Sequence, residues 1–116
     1  MKFETTVYAA QEPMVKNQNG HWIRNPTFDL DDAKRFGPIR FIWAPGAASF
    51  SPADLRTRAV EIAEEFDDEH DWIVNLGSPT LIATLAWAIG HVGKRLRVLE
   101  WDRRERAYVP TTDETE

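Results

Sequence analysis

Trp72-Ile73-Val74-Asn75-Leu76-Gly77-Ser78-Pro79-Thr80 reads as a short buried strand that turns at a glycine and leads into a helix. The apolar run is strand-length and bounded by turn residues. Ser78 stands where a helix N-cap belongs, and Pro79 stands at the first helical position, where a missing N–H costs nothing. The same grammar occurs upstream. Ile39-Arg40-Phe41-Ile42-Trp43 is a strand closed by Ala44-Pro45-Gly46, and Ser51-Pro52-Ala53-Asp54 opens a helix with an acid near the positive end of its dipole. In that helix Leu55, Ala59, Ile62, Ala63 and Phe66 recur at the spacing of one buried stripe.

The helix after Ser78 runs through Leu81, Ile82, Leu85, Trp87 and Ile89, is apolar nearly all round, and stops at Gly90 and Gly93. Such a helix requires cover on more than one side. A third strand follows at Leu96 to Trp101, then a polar turn from Asp102 to Arg106 and a last strand at Ala107 to Val109. The pattern is β-α-β-α-β with a C-terminal hairpin. Strands separated by helices pair in parallel through right-handed crossovers, so the fold class is α/β, a small Rossmann-like and mainly parallel sheet. Upstream, Phe3 to Val15 carries strand-type residues broken at Pro13, and Asn17-Gln18-Asn19-Gly20 before His21-Trp22-Ile23 predicts an N-terminal β-hairpin. Leu30 to Gly37 predicts one or two helical turns ended by the glycine.

At 116 residues, 42% of them apolar, the chain suits one domain over residues 1–110 with an acidic, frayed and disordered tail over 111–116. No cysteine is present, which removes disulfides, thiolate metal sites and thiol nucleophiles. The net charge of −5 argues against a sequence-independent grip on nucleic acid. The first residues hold no apolar leader, and Leu81 to Ile89 is far short of the about 20 residues a bilayer span needs. A cytoplasmic protein without membrane contact is expected. Neither Gly-x-x-x-x-Gly-Lys-Ser/Thr nor Gly-x-Gly-x-x-Gly occurs, so nucleotide-dependent catalysis has no fingerprint here. His21, His70 and His91 lie far apart, so no metal and no cofactor is expected. A Ser78, His70 and carboxylate triad can be drawn, but no Gly-x-Ser-x-Gly elbow supports it and no catalytic residue is assigned.

In open parallel sheets ligands sit beyond the carboxyl ends of the strands. That rule selects Gly46 and Ser49 in the first loop, Gly77, Ser78 and Thr80 in the second, and Arg103 and Arg104 in the third as candidate ligand-binding residues. Gly77 admits close approach to the backbone, while the serine hydroxyl and first-turn N–H groups can hold an anionic oxygen. A helix cap alone is the competing reading. Six of the 14 basic residues, Lys94, Arg95, Arg97, Arg103, Arg104 and Arg106, lie within thirteen positions beside Trp101 and Tyr108. They read either as a phosphate-binding patch or as a solvated hairpin paired with Asp102 and Glu105. The acids from Glu61 to Asp71 crowd the negative end of the first helix and read as a partner surface or a solubilising face. Most of the five tryptophans are expected in the core, with Trp87 as the anchor of a homo-oligomer interface.

The stretch from Asp71 to Ala83, followed by Leu96-Arg97-Val98-Leu99-Glu100-Trp101-Asp102-Arg103 and Tyr108-Val109-Pro110, resembles a family of small uncharacterised proteins encoded by tailed bacteriophages. Asn25-Pro26-Thr27-Phe28-Asp29-Leu30 and Gly37 extend the resemblance upstream. It implies action in the cytoplasm of an infected bacterium and transfers no activity. A weaker similarity joins the strand, Gly-Ser-Pro turn, helix and strand to the cyclic-oligonucleotide sensor domains called SAVED and CARF, with Gly77, Ser78 and Thr80 as the matching positions. That similarity implies a homodimer, because those domains work as paired halves. The resulting expectation is a non-enzymatic, homo-oligomeric accessory protein that binds a nucleotide or another phosphate-containing small molecule at the loop ends. The alternative is a structural or interaction module that binds a host or phage protein through its acidic face or apolar helix.

Overall fold

The computed structural model describes residues 5–25, 30–44, 47 and 50–111. In chain order they form β1 (Val7–Ala9), β2 (Met14–Lys16), β3 (Trp22–Arg24), a 3-10 turn (Asp32–Phe36), β4 (Ile39–Phe41), α1 (Pro52–Glu65), β5 (Trp72–Val74), α2 (Pro79–His91), β6 (Val98–Asp102) and β7 (Ala107–Pro110). Among the described residues, five strands make one sheet in the order β4-β1-β5-β6-β7, parallel except for β7, and β2 and β3 form a separate antiparallel hairpin.

The expected α/β alternation and both hairpins are present. The centre of the sheet is a correction. Phe3 to Val15 does not act as one unit, because Val7–Ala9 inserts between β4 and β5 while Met14–Lys16 leaves for the hairpin. A central strand is covered on both faces and so needs no polar alternation. Val7, Tyr8 and Ala9 are accordingly all buried.

Side chains of β1 alternate between two cores. Tyr8, with Ile73, packs under α1 and α2 in a cluster that includes Leu55, Ile62, Phe66, Leu81, Leu85 and Ile89. Val7 and Ala9 face the other way, with Val74, Leu99 and Tyr108, under Leu30, Ala33 and Phe36 of the 3-10 segment. The connection from β1 to β4 runs over this second face, while α1 and α2 carry the chain back the other way over the first. Direction and face change together, as crossovers of a single hand require. The predicted stripe on α1 is buried throughout, from Leu55 to Phe66, and Ser51 caps the helix by accepting from Asp54 N–H at 3.2 Å.

The tryptophans depart from expectation. Trp43 is buried and Trp72 half-buried, whereas Trp22, Trp87 and Trp101 are exposed. Helix α2 is likewise buried along one side, at Leu81, Leu85, Ala88 and Ile89, and open on the other, because among the described residues both helices lie on one face of the sheet.

The acid-rich segment after α1 also takes a role not read from its charge. Asp71 is fully buried, and its carboxylate accepts from Thr6 N–H at 2.8 Å and Asp67 N–H at 2.8 Å. Its carbonyl accepts from Arg97 Nε at 3.0 Å, while the Arg97 guanidinium lies over the Trp72 ring at 3.8 Å. Lys94 Nζ closes the carboxyl end of α1 by donating to the carbonyls of Ala63, Glu64 and Phe66 at 2.9, 2.7 and 2.6 Å. A cation there complements the dipole that the acids oppose. Glu65 pairs with Arg40, and Asp68 accepts from Arg95 N–H at 2.8 Å. Asp71→Ala, which orphans two part-buried backbone donors, is expected to cost about 3 kcal/mol. A urea titration should show the lower midpoint at unchanged slope, with Asp71→Asn, which keeps one acceptor, losing less.

Candidate functional site

β1 and β5 are parallel neighbours whose chains depart in opposite directions, the first into the hairpin and the second into α2. Divergent exits leave a crevice beyond the carboxyl ends of the two strands. It has a volume of about 260 Å³ and is lined by Gln11, Glu12, Pro13, Met14, Asn25, Leu76 and Gly77. Gly77 adopts φ +123°, a conformation that disfavours any side chain. A Cβ at that position would meet Ala10 Cβ at 3.7 Å and Gln11 N at 3.8 Å, ordinary contacts, so the dihedral and not the space requires glycine. Gln11 Nε2 donates to Ala44 O at 2.8 Å and ties the β1 exit to the β4 exit. Glu12 Oε2 accepts from Arg24 Nε at 3.0 Å and Nη2 at 2.7 Å, so the one acid in the crevice is neutralised from β3. The sequence reading missed this wall because it did not place Val7-Tyr8-Ala9-Ala10, a short apolar run, at the centre of the sheet.

Ser78 has the extended N-cap conformation (φ −62°, ψ 128°), and its carbonyl accepts from Ile82 N–H at 3.0 Å, yet its hydroxyl makes no capping bond. α1, with the same Ser-Pro start, spends its serine on the cap. First-turn N–H groups lack intrahelical acceptors, so the start of α2 presents donors and a hydroxyl beside Gly77. Thr80 parts company with them. It lines a different hollow, an apolar cleft of about 330 Å³ between α1 and α2 walled by Phe50, Leu55, Ala83 and Trp87. Gly46 and Ser49 lie outside the described residues, as does the tail over 112–116.

The basic segment is split by β6, whose five residues span about 16 Å. Lys94, Arg95 and Arg97 are bound into the fold at its amino end. Arg103 and Arg104 are exposed at the other end, on the same edge as Gly77, in a turn shaped by Asp102, whose carboxylate accepts from Arg104 N–H at 2.8 Å and Glu105 N–H at 3.2 Å. Among the described residues neither arginine forms an ion pair. The single patch read from the sequence is therefore two groups with different roles. β6 continues three residues past the β5 register, so this turn projects beyond the carboxyl end of β5, one strand away from the crevice, and neither arginine lines it.

A family model described as Phage Pam3 gp32-like protein matches residues 5–114. The chain belongs to this phage family. No curated protein and no solved structure matches it. The resemblance to small phage proteins is thereby supported over nearly the whole chain, and the similarity to SAVED and CARF domains gains no support. No described helix of this phage protein is long and apolar enough to cross a membrane. Among the described residues no group of three or more His, Asp or Glu is placed to hold a metal ion. His70 precedes β5 and Ser78 follows it, so the triad drawn from the sequence is divided between opposite ends of a strand.

His70 instead serves the loop after α1. Its Nδ1 lies 2.9 Å from Asp67 Oδ2, and Asp67 Oδ1 accepts from Glu69 N–H at 3.0 Å. The hydrogen bond to Asp67, then the Asp67 charge, hold the His70 imidazole above its ordinary value, with Glu69 adding to them and desolvation and Arg97 opposing. A raised folded-state value means the imidazolium stabilises the fold fully below the unfolded value of about 6.5, and that contribution is lost as pH rises through the folded value. An NMR titration should place the His70 midpoint above 6.5, and Asp67→Asn should lower it.

Proposed function

We propose that this phage protein is an accessory module without catalytic activity, homo-oligomeric and Rossmann-like, which captures a nucleotide or another phosphate-containing small molecule in the host cytoplasm. Counting only the sheet strands in chain order, the arrangement is 2-1-3-4-5, an order whose ligands elsewhere sit between the first and third strands. The observation that carries the reading is the Gly77-Ser78 turn. A positive-φ glycine lines the crevice between β1 and β5, and the next residue is a serine whose hydroxyl is left out of the helix cap. Arg103 and Arg104 add positive potential at the same edge.

A protein-interaction role is the second reading, and the α1–α2 cleft favours it. Phe50 and Trp87 are 55% and 45% exposed on its walls. Exposed aromatic pairs around an apolar hollow are typical of contact surfaces. The acidic face offers less to a partner, because Asp67, Asp68, Asp71 and Glu65 are engaged within the fold.

Thermal shift across a panel of mono-, di- and cyclic nucleotides, with native mass spectrometry of the purified protein, tests the first reading. A binding nucleotide should raise the melting temperature, and Ser78→Ala should weaken it by about tenfold, the equivalent of one hydrogen bond, without changing the assembly. A flat panel together with protein free of added mass would leave the interaction reading in its place.

A further inference from the structure

We infer that the β6–β7 turn binds single-stranded nucleic acid, with backbone phosphates on Arg103, Arg104 and Arg106 and a base stacked on Trp101. This site is separate from the crevice and does not depend on it. The turn occupies residues 103–106, between Asp102 and its cross-strand partner Ala107, and three of its four residues are arginines. All three are exposed, and among the described residues none of their side chains has a hydrogen-bond or ion-pair partner. Asp102 forms no ion pair with them. Its carboxylate instead accepts from the N–H groups of Arg104 and Glu105 and fastens the backbone of the turn.

One of the three arginines is held against its backbone preference. Arg106 has φ +53°, and among the described residues no other non-glycine residue has a positive φ. Glycine takes that conformation without the strain that a side chain adds. An arginine at a glycine position brings a third charge to the tip and makes the turn less stable, a combination that suits a binding turn and serves no purpose in a connection. Trp101 supplies the aromatic surface. It is 40% exposed, immediately precedes Asp102, and is braced by its cross-strand partner Tyr108, whose ring lies 5.1 Å away at 69°.

Guanidiniums beside an exposed indole fit a phosphate chain that carries unstacked bases. Three of them exceed the charge of one phosphodiester, which favours a strand over a mononucleotide. A duplex keeps its bases stacked and offers Trp101 nothing to stack on. The net charge of −5 does not oppose binding at this place. Asp68 and Asp71 contact Arg95 and Arg97 before β6, and the five residues of β6 hold that cluster about 16 Å from the turn. That distance exceeds the screening length of about 8 Å at physiological ionic strength.

Fluorescence anisotropy of a short end-labelled oligothymidylate, titrated with the full chain over a salt series, tests the site. Binding should saturate at low salt, and log affinity should fall with log salt at a slope of about −2, the value for three phosphate contacts on a single strand. Arg103→Ala/Arg104→Ala should weaken binding at least tenfold and reduce the slope to about −0.7. Trp101→Ala should weaken it by about tenfold at unchanged slope. Arg106→Gly should weaken binding while raising the melting temperature by a few degrees, whereas a turn that only connects strands would show the stability gain alone. Ser78→Ala should leave strand binding unchanged, which keeps this site distinct from the crevice. No binding at low salt, or binding indifferent to the arginine variants, overturns the inference. So does a duplex that binds as well as the single strand, or thymidine monophosphate that competes as well as the oligonucleotide. Should Trp101→Ala fail to fold, the arginine variants, at exposed positions without side-chain partners, still decide the outcome.

Discussion

A carboxylate with no access to water organises this molecule. Asp71 stands one residue before β5, holds the backbone N–H that precedes β1, holds the N–H that opens the loop after α1, and receives Arg97 on its carbonyl. Three segments distant in sequence, at Thr6, at 67–71 and at Arg97, meet on one residue. Ionised acceptors of backbone donors make strong hydrogen bonds, and a buried one tolerates little displacement. The registers of β1 against β5 and of β5 against β6 are set from that point. Lys94 and Arg95 complete the junction by tying the approach to β6 to the end of α1 and its loop.

This concentration of charge at the amino edge of the sheet explains the character of the opposite edge. Three-residue parallel strands have few ladder bonds of their own, so side chains must hold the layers in place, and they do so where the acids and bases meet. At the carboxyl edge the polar bonds shape loops: Gln11 to Ala44, Glu12 to Arg24, Asp102 to its own turn. A crevice lined by a positive-φ glycine persists there because nothing in the fold's stability requires it to be filled. The last strand is protected differently. Asp32 accepts from Tyr108 N–H at 2.6 Å and Arg35 donates to Tyr108 O at 2.6 Å, which satisfies outward groups on an edge strand that would otherwise invite pairing.

The exposed aromatic residues follow from the same economy of layers. With α1 and α2 packed side by side on one face, the far side of α2 has no described neighbour, and Trp87 stacks on His91 at 4.8 Å instead of entering a core. Trp101 rests edge-on against Tyr108, and Trp22 sits on the free hairpin. These positions explain why a count of tryptophans overstates the core of a thin domain. Large apolar side chains are core only where a second layer exists to meet them.

Local chemistry sufficed for the parts of the fold that local chemistry governs. Ser51-Pro52 and Ser78-Pro79 mark helix starts because capping and the missing proline N–H act within one turn, the stripe from Leu55 to Phe66 follows from helical period, and Asn17 to Gly20 and Asp102 to Arg106 reverse the chain through their own hydrogen bonds. Gly77 and Ser78 were legible as candidate site residues for the same reason. The centre of the sheet was not legible, since Val7-Tyr8-Ala9 is a run too short to be distinguished from the strand fragment at Met14 until β4 and β5 close on either side of it. Nor was the division of the basic segment, because whether an arginine serves the fold or the solvent depends on which end of β6 it occupies and on what Asp68 and Asp71 bring to that end. Residue types set the caps, turns and periods through contacts a few positions apart. Only packing between segments 26 to 65 residues apart decided which strand is central and which charges are structural, and the same layering decided which apolar surface is left open.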